Sequence, residues 1–226
     1  MPDLLALLPE LVSVSHPLLD GQRIVVIGVS AVLRDEQAFL FEVTRPRHWG
    51  RTEDGHPIVG VGGIGGRIEP GEDALACLRR EVREEIAADF CLEPSRCTAL
   101  IRNGEVEGSL DVPAGTGGRV PYMINLLPPQ IQRSEQPDHV AIVTFRGLVR
   151  GRIRPADLFG LMSVEWSSLS AFFARDEWTL DDLQALRGVR FNVADDLPHG
   201  SLLHPTLTGR AFQTLVRHGL AAPLQD

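Results

Sequence analysis

Three glutamates lie within five residues in the stretch GRIEPGEDALACLRREVREEIAA, residues 66–88. An α-helix turns by 100° per residue, so Glu81, Glu84 and Glu85 occupy one arc of about 100° on a helix. Like charges at the i,i+4 spacing of Glu81 and Glu85 destabilise an isolated helix. Clustered carboxylates either raise one another's pKa or bind a hard cation such as Mg²⁺, which takes oxygen ligands. The spacing therefore favours a metal or acid–base site over a solvated helix face.

The residues around this acidic arc predict its place in the fold. An apolar stripe adjoins it, made of Leu75, Leu78, Val82 and Ile86. An arc that borders such a stripe lies at the edge of the core. Arg80 is one turn before Glu84, where an i,i+4 ion pair can orient that carboxylate. Ala74 and Cys77, one turn before the glutamates, are small and predict space above the carboxylates.

With this spacing, the stretch resembles the signature of the Nudix hydrolases, G-x5-E-x7-R-E-U-x-E-E-x-G-U. Six of its seven fixed identities are matched, by Gly66, Glu72, Arg80, Glu81, Glu84 and Glu85. At about 7% per residue type, such a match arises by chance on the order of 10⁻⁵ times in a chain of this length. The sequence departs from the signature at its end, where Ala87 replaces glycine and Ala88 replaces an aliphatic residue. We expect an altered exit from the helix and an intact metal site.

The resemblance implies an α/β fold, a Nudix-type α/β/α sandwich with a mixed β-sheet. It implies hydrolysis, dependent on Mg²⁺ or Mn²⁺, of a nucleoside diphosphate linked to another moiety. Glu81, Glu84 and Glu85 would hold the metal, and Arg80 would orient a carboxylate. Glu72 would support the loop or bind the metal through water.

Other site residues follow less directly from the resemblance. Gly66 would allow the tight course of the loop next to the substrate. The general base would be a signature glutamate or an acidic residue on a distant loop, where Glu135 and Asp138 are the candidates. A basic loop before the glycine-rich segment contains Arg45, Arg47 and Arg51. In an acidic protein, this local excess of positive charge is suited to substrate phosphates.

The chain has 226 residues and a net charge of −8, which argues against a nucleic-acid partner or an anionic membrane. Three cysteines without metal-ligand spacing indicate a reducing compartment, and Cys77 is expected to be a small packing residue. The N-terminal stretch lacks the basic region of a signal peptide, and no run of 18 apolar residues predicts a membrane span. These features predict a cytoplasmic protein.

Hydrophobic patterns divide the chain into a central domain, residues 21–176, and two extensions. Strands are predicted at residues 23–33 and 38–44 as a hairpin, then within 58–66, 97–112, 119–128, 139–149 and 163–166. Helices are predicted after Gly71, at 167–175, at 180–187 and at 205–218. The extensions, residues 1–20 and 177–226, are expected to be helical, and to cap the domain or mediate homodimerisation.

Two alternatives differ from a metal-dependent pyrophosphohydrolase. A Nudix fold without turnover could serve as a nucleotide sensor, although a sensor has no need of the intact glutamates. An isoprenoid-diphosphate isomerase would carry a cysteine motif before the signature, and no cysteine precedes Cys77. Among substrates, ADP-ribose, a modified nucleoside triphosphate and a dinucleoside polyphosphate all fit the sequence.

Overall fold

The computed structural model describes residues 1–12, 14–95, 97–111, 120–128, 137–193 and 196–221. Fourteen strands in these residues form one sheet. The strands are β1 Ile24–Arg34, β2 Ala38–Val43, β3 Gly50–Arg51, β4 Pro57–Gly62, β5 Ile64–Gly66, β6 Asp89–Leu92, β7 Cys97–Arg102, β8 Glu105–Asp111, β9 Met123–Leu127, β10 His139–Arg150, β11 Gly160–Glu165, β12 Trp178–Thr179, β13 Val189–Val193 and β14 Leu202–Pro205. The helices are α1 Leu4–Leu7, α2 Ala74–Ile86, α3 Leu169–Phe173, α4 Leu180–Ala185 and α5 Thr208–Arg217.

The sheet is mixed. Its longest path of paired strands runs β12-β14-β4-β2-β1-β10-β9-β7-β8. The central pair β1 and β10 is parallel over ten residue pairs, whereas β2 and β9 run antiparallel to their central neighbours. The remaining strands add to this path at β1, β2, β4, β10 and β11. The predicted α/β class with a mixed sheet is confirmed.

Helices cover both faces of the sheet because its strands are apolar on both sides. On one face, α2 and the N-terminal segment pack with the odd-numbered residues Val29, Ala31 and Leu33 of β1. On the other face, α3, α4 and α5 pack with Val32 of the same strand. A strand buried on both faces reads as a continuous apolar run, which is what β1 shows. The result is the three-layer α/β/α arrangement.

The predicted helices α2 to α5 and the predicted hairpins are present. The β7–β8 turn at Asn103 and Gly104 has φ values of 54° and 80°, which a two-residue hairpin turn requires. In the described part of the N-terminal extension, one helical turn, α1, is followed by a 3₁₀ turn at Pro9–Leu11. Across the described ranges, no helix is both long and apolar enough to cross a membrane.

The C-terminal extension is more than helical. In addition to α4 and α5, it provides β12, β13 and β14, and these strands join the same sheet as the rest of the chain. Strand β13 pairs with β11, and β14 pairs in parallel with β4. Their short apolar runs cover strand edges that the central domain would otherwise leave exposed.

Candidate functional site

A short strand, a loop and a helix position the acidic arc. Strand β5 pairs antiparallel with β1, and Gly66 at its end lies opposite Val29. After a loop, α2 begins at Ala74, where the carboxylate of the N-cap residue Asp73 accepts a hydrogen bond of 2.7 Å from the Ala76 N–H. A side-chain cap at this position satisfies one of the free N–H groups of the first turn.

The faces of α2 are distributed as the helical spacing predicts. Its buried residues are Ala74, Cys77, Leu78, Val82 and Ile86. Arg79, Arg83 and Glu84 are exposed, while Glu81 and Glu85 lie at the boundary between core and solvent. The acidic arc therefore borders the core.

Ala74 and Cys77, the small residues one turn before the glutamates, are buried. Cys77 is fully buried, and its thiol donates to the carbonyl oxygen of Arg67 at 3.4 Å. Burial raises the pKa of this thiol to about 12, so it stays protonated. The loop before α2 folds over the small residues, and Cys77 is the packing residue that the sequence predicts.

Arg80 connects the loop to the acidic arc. Its Nε and Nη2 atoms donate to the two oxygens of Glu72 at 2.8 and 3.0 Å. Its Nη1 donates to Glu81 Oε1 at 2.8 Å and to Glu84 Oε2 at 3.1 Å, and Nη2 also reaches the carbonyl oxygen of Arg67 at 3.1 Å. The predicted i,i+4 pair with Glu84 is present, as one of several bonds. The guanidinium fork suits this task because it offers five fixed donors.

Glu72 is strongly stabilised as an anion. The bidentate bond from Arg80, together with the Glu69 N–H at 3.0 Å from Oε2, lowers the pKa of Glu72 to about 2. A carboxylate that is ionised throughout the physiological range keeps the loop tied to the helix. In this structure, Glu72 supports the loop.

Glu85 has the opposite environment. Its Oε2 accepts a hydrogen bond of 3.0 Å from the Gly65 N–H. Burial, and then the nearby carboxylates of Glu42 and Glu81, raise the pKa of Glu85 to about 8, against the smaller effects of the Gly65 N–H and of Arg45. Two or more carboxylates that share a desolvated space cannot all ionise without a cation.

Glu42 is the site residue that the sequence interpretation missed. It lies in β2 opposite Gly62 of β4, and it shares the face of Leu40, which packs in the same core as α2. Burial raises the pKa of Glu42, Arg45 lowers it and Glu81 raises it. Its signal in the sequence is a charged residue inside the otherwise apolar strand AFLFEV.

A side chain at Gly66 would not fit without displacing a neighbouring carboxylate. A Cβ atom at this position would overlap the carboxylate of Glu81. Its neighbour Gly65 is packed against the backbone of Val29 and Ser30 with the same lack of room. These two glycines let the carboxylates of α2 reach the backbone of β5.

The donor chemistry of the site suits a hard divalent cation. Glu42, Glu81 and Glu85 bring carboxylate oxygens to a partly buried region next to the glycine backbone. Carboxylate oxygens are the ligands that Mg²⁺ and Mn²⁺ prefer. In their present positions, however, no three His, Cys, Asp or Glu side chains of the described residues gather closely enough to hold one ion. Glu72, Glu81 and Glu84 are instead bonded to Arg80.

The three arginines of the basic loop differ in position. Arg45 pairs with Asp157 at 2.9 Å, and the Asp157 N–H caps the carbonyl oxygen of Glu84 at 3.1 Å. The positive charge of Arg45 also acts to lower the pKa of Glu42 and of Glu85. Arg47 donates to His48 at 3.1 Å and Arg51 to the Gly55 carbonyl at 2.8 Å, so their contacts are within their own loop. Of the three, Arg45 adjoins the acidic arc.

The two acidic residues considered as a distant general base have different outcomes. Glu135 lies outside the described residues. Asp138 accepts a 2.8 Å hydrogen bond from the Arg23 N–H, and its own N–H donates to the Arg23 carbonyl at 2.8 Å. This pairing holds Asp138 at the start of the central strands.

The helix exit is not altered, contrary to the expectation from Ala87. Helix α2 ends at Ile86, and Ala87 takes φ 51° and ψ 38°, the left-handed conformation in which helices commonly end with glycine. Its N–H donates to the Arg83 carbonyl at 3.1 Å. Further capping comes from the segment 154–157, whose N–H groups bond the carbonyl oxygens of Glu84, Glu85 and Ile86. These contacts hold alanine in a conformation that it adopts reluctantly.

Comparison with known proteins places this geometry in a family. A model of the NUDIX domain matches residues 25–188, which include β1, the signature and α2. The chain belongs to the Nudix family. Hydrolase is the activity class that this membership supports. The matched region extends past residue 176, the predicted end of the domain.

Solved structures with a similar fold come from several bacteria. The E. coli ORF135 protein is 15% identical over 67% of this chain and 81% of its own, with a TM-score of 0.36. A MutT Nudix hydrolase from Burkholderia pseudomallei is 14% identical over 60% and 76%, with a TM-score of 0.32. A possible asymmetric diadenosine tetraphosphate hydrolase from Jonesia denitrificans is 15% identical over 88% and 98%, with a TM-score of 0.41. No curated protein matches the chain.

Proposed function

We propose that this Nudix protein is a metal-dependent pyrophosphohydrolase that cleaves a nucleoside diphosphate linked to another moiety. The observation that supports this most is the environment of Glu85. A carboxylate whose pKa is raised by burial and by two neighbouring carboxylates is a candidate for metal binding or for proton transfer. It lies at the end of the glycine-rich strand, next to a backbone N–H.

Glu81, Glu84 and Glu85 would hold Mg²⁺ or Mn²⁺, with Glu72 as a support or a ligand through water. When bound, the ion supplies charge neutralisation of the pyrophosphate and activation of water. Glu81 would give up its bond to Arg80, and Arg80 would retain Glu72 as its bidentate partner.

Residues of the chain would bind and orient the substrate around this centre. Arg45 adjoins the carboxylates and is placed to meet a phosphate, in exchange for its exposed partner Asp157. Arg47 and Arg51 lie in the same basic loop and extend the positive charge away from the acidic arc. Gly66 would lie beside the substrate, because its lack of a side chain lets the Glu81 carboxylate lie against β5.

Two residues are proposed for proton transfer. In the metal-free protein the pKa of Glu85 is about 8, so this carboxyl holds a proton near neutral pH that it can release when the metal or the substrate binds. Glu135 is retained as a distant general base.

A nucleotide sensor is the second candidate, and one observation favours it. In a sensor Glu81 and Glu84 would remain bonded to Arg80, as they are in this structure. Such a protein would bind nucleotides without turnover.

A phosphate-release assay separates the two candidates. The panel contains ADP-ribose, NADH, a modified nucleoside triphosphate and a dinucleoside polyphosphate, each with Mg²⁺ or Mn²⁺ and with a chelator. We expect turnover of at least one of them that needs the metal, and a loss of about 10²- to 10³-fold in kcat for Glu84→Gln and Glu85→Gln. Glu36→Gln, at an exposed position in the β1–β2 turn, is the control. Nucleotide binding without turnover on any substrate favours the sensor, and full activity of both variants contradicts the metal site.

A further inference from the structure

The segment between β10 and β11 contacts two parts of the candidate site at once. We call residues 153–159 the capping segment; they lie outside the helices and strands. Leu158 is buried in the core on the α2 face of the sheet, and Ile153 is partly buried against the same core. Because an apolar residue near each end is packed in the core, the polar residues between them have a fixed place on the surface.

The first contact of the capping segment is with the end of α2. Three of its backbone N–H groups, over distances of 2.8 to 3.1 Å, donate to the carbonyl oxygens of Glu84, Glu85 and Ile86. The donors are Arg154, Ala156 and Asp157. Carbonyl oxygens in the last turn have no partner within a helix. The capping segment supplies these partners, and it thereby fixes the backbone of two of the three glutamates of the acidic arc.

The second contact is with the basic loop. Arg45 Nη2 lies 2.9 Å from Asp157 Oδ2, and it also donates to the carbonyl oxygen of Asp157. The ring of Phe159 meets the ring of Trp49 edge to face, with 5.3 Å between the centroids. The indole N–H of Trp49 donates at 2.6 Å to the carbonyl oxygen of Thr44. Both ends of the stretch 45–49 are therefore attached to the capping segment.

The pairing of β11 with β2 explains why the capping segment and the basic loop meet. Gly160, the first residue of β11, pairs with Val43, the last residue of β2. The capping segment therefore enters the sheet beside the point at which the basic loop leaves it. Paired residues of antiparallel strands are about 5 Å apart, so residues just beyond the pair are within reach of an arginine side chain.

Asp157 takes part in both contacts. Its N–H donates to the carbonyl oxygen of Glu84, whereas its carboxylate and its carbonyl oxygen accept from Arg45. We propose that Asp157 is a positioning residue that couples Arg45 to the end of α2. In the hydrolase, this coupling would fix the phosphate-binding arginine relative to the carboxylates of the acidic arc. That consequence rests on the proposed function, whereas the coupling itself does not.

Hydrogen exchange of backbone amides tests the coupling in the full-length, metal-free protein. The Ala156 N–H is the reporter, because it exchanges only when its bond to the Glu85 carbonyl opens. We expect Arg45→Gln to lower the protection of this amide about two- to fivefold, which is the range for a partly exposed ion pair. Asp157→Asn should lower it by a similar factor. The double variant should lose no more than either single variant, because both remove the same interaction.

Two controls separate coupling from general stability. Arg190→Gln removes another exposed ion pair, with Glu165, and should leave the Ala156 amide unchanged. The amide of Val143, in the central strand β10, reports opening of the whole fold and should keep its protection in every variant. Unchanged protection of Ala156 in both single variants, or additive losses in the double variant, would overturn the proposal. An equal loss at Val143 would also overturn it, because Asp157 would then act on overall stability.

Kinetics distinguish the coupling from the proposed function. If the protein hydrolyses a nucleotide, Asp157→Asn should lower both KM and kcat, each by about two- to fivefold. KM falls because a substrate phosphate no longer competes with the Asp157 carboxylate for Arg45, and kcat falls because Arg45 is no longer fixed relative to α2. Asp157→Glu keeps the charge and should restore both constants. A lower kcat with an unchanged KM would contradict the positioning role and indicate a structural one.

The two proposals can fail separately. A protein without turnover on any substrate, in which the Ala156 amide responds to Arg45→Gln and Asp157→Asn, would support the coupling and contradict the hydrolase. Metal-dependent turnover together with an Ala156 amide that responds to neither variant would do the reverse.

Discussion

The two halves of the acidic arc on α2 are stabilised in opposite ways. On the Arg80 side, one guanidinium bonds the carboxylates of Glu72, Glu81 and Glu84, and the pKa of Glu72 falls to about 2. On the Glu85 side, a carboxylate lies beside Glu42, and its pKa rises to about 8. On the Arg80 side a cation is bonded to the carboxylates, whereas at Glu85 burial and the neighbouring carboxylates outweigh the effect of Arg45.

This difference indicates a division of labour within one signature. The Arg80 side holds the loop against the helix and fixes where the carboxylates point. On the Glu85 side, the ionised form of a carboxylate is unfavourable. Binding of a proton or a metal ion removes this unfavourable interaction.

The largest effect is expected on the Glu85 side, in metal-free protein. The pKa of Glu85 is about 8 in the folded state and 4.5 for an unperturbed glutamate, so the folded state retains a proton that the unfolded state loses. The free energy of unfolding should therefore fall as the pH rises from about 4.5 to about 8, by on the order of 3 kcal/mol. Urea denaturation with a chelator at several pH values measures this slope.

Glu85→Gln should reduce that slope and stabilise the metal-free protein near pH 8, because the amide needs no proton. Glu84→Gln removes an exposed carboxylate from the same helix, so the slope should persist in it. If the free energy of unfolding depends on pH in the same way in the wild type and in Glu85→Gln, the two sides do not differ in protonation.

On the Arg80 side, Arg80→Lys should separate charge from geometry. Lysine keeps the positive charge but cannot bond Glu72 in a bidentate manner and reach Glu81 as well. The carboxylates then shift, and we expect kcat to fall about 100-fold in the phosphate-release assay, with a lower melting temperature. Arg79→Lys, on the exposed face of α2, is the control. Activity unaffected by Arg80→Lys would mean that positive charge alone is sufficient.

Gly66→Ala should displace one carboxylate without replacing it. The added Cβ overlaps the end of the flexible Glu81 side chain, which can move away at little cost in stability. We expect a drop in kcat of about tenfold to 100-fold and a nearly unchanged melting temperature. Gly62→Ala is the control, because its Cβ would meet only Thr206, at an ordinary distance of 3.6 Å. A large loss of stability in Gly66→Ala would assign this glycine to folding.

Local patterns predicted the elements that carry the site. The apolar run of β1, the Asn103–Gly104 turn and the helical spacing of α2 all depend on residues near one another in sequence, and all three are confirmed. The Arg80–Glu84 pair followed from the same spacing. Short-range physics is sufficient for these features because their partners are within one turn or one hairpin.

Contacts between distant segments were not predictable in this way. Glu42 is 43 residues before Glu85, and the pairing of β2 with β4 and with β1 brings its strand next to the glycine-rich segment. The strands β13 and β14 were missed because their short runs acquire their conformation from the edges of β11 and β4.

The smallest effect is expected at the helix exit that both sides share. Ala87 is held in the left-handed conformation, in which a Cβ is sterically unfavourable. Ala87→Gly should therefore stabilise the protein by about 0.5–1 kcal/mol, less the entropy that glycine gains in the unfolded chain. Thermal denaturation measures this change in stability. Ala174→Gly is the control: Ala174 at the end of α3 has right-handed helical angles, so glycine there should destabilise the protein. The segment 154–157 caps α2 through backbone groups, which Ala87→Gly leaves in place. Activity should therefore stay at the wild-type level, and any large change in kcat would show that the exit helps to position Glu84 and Glu85.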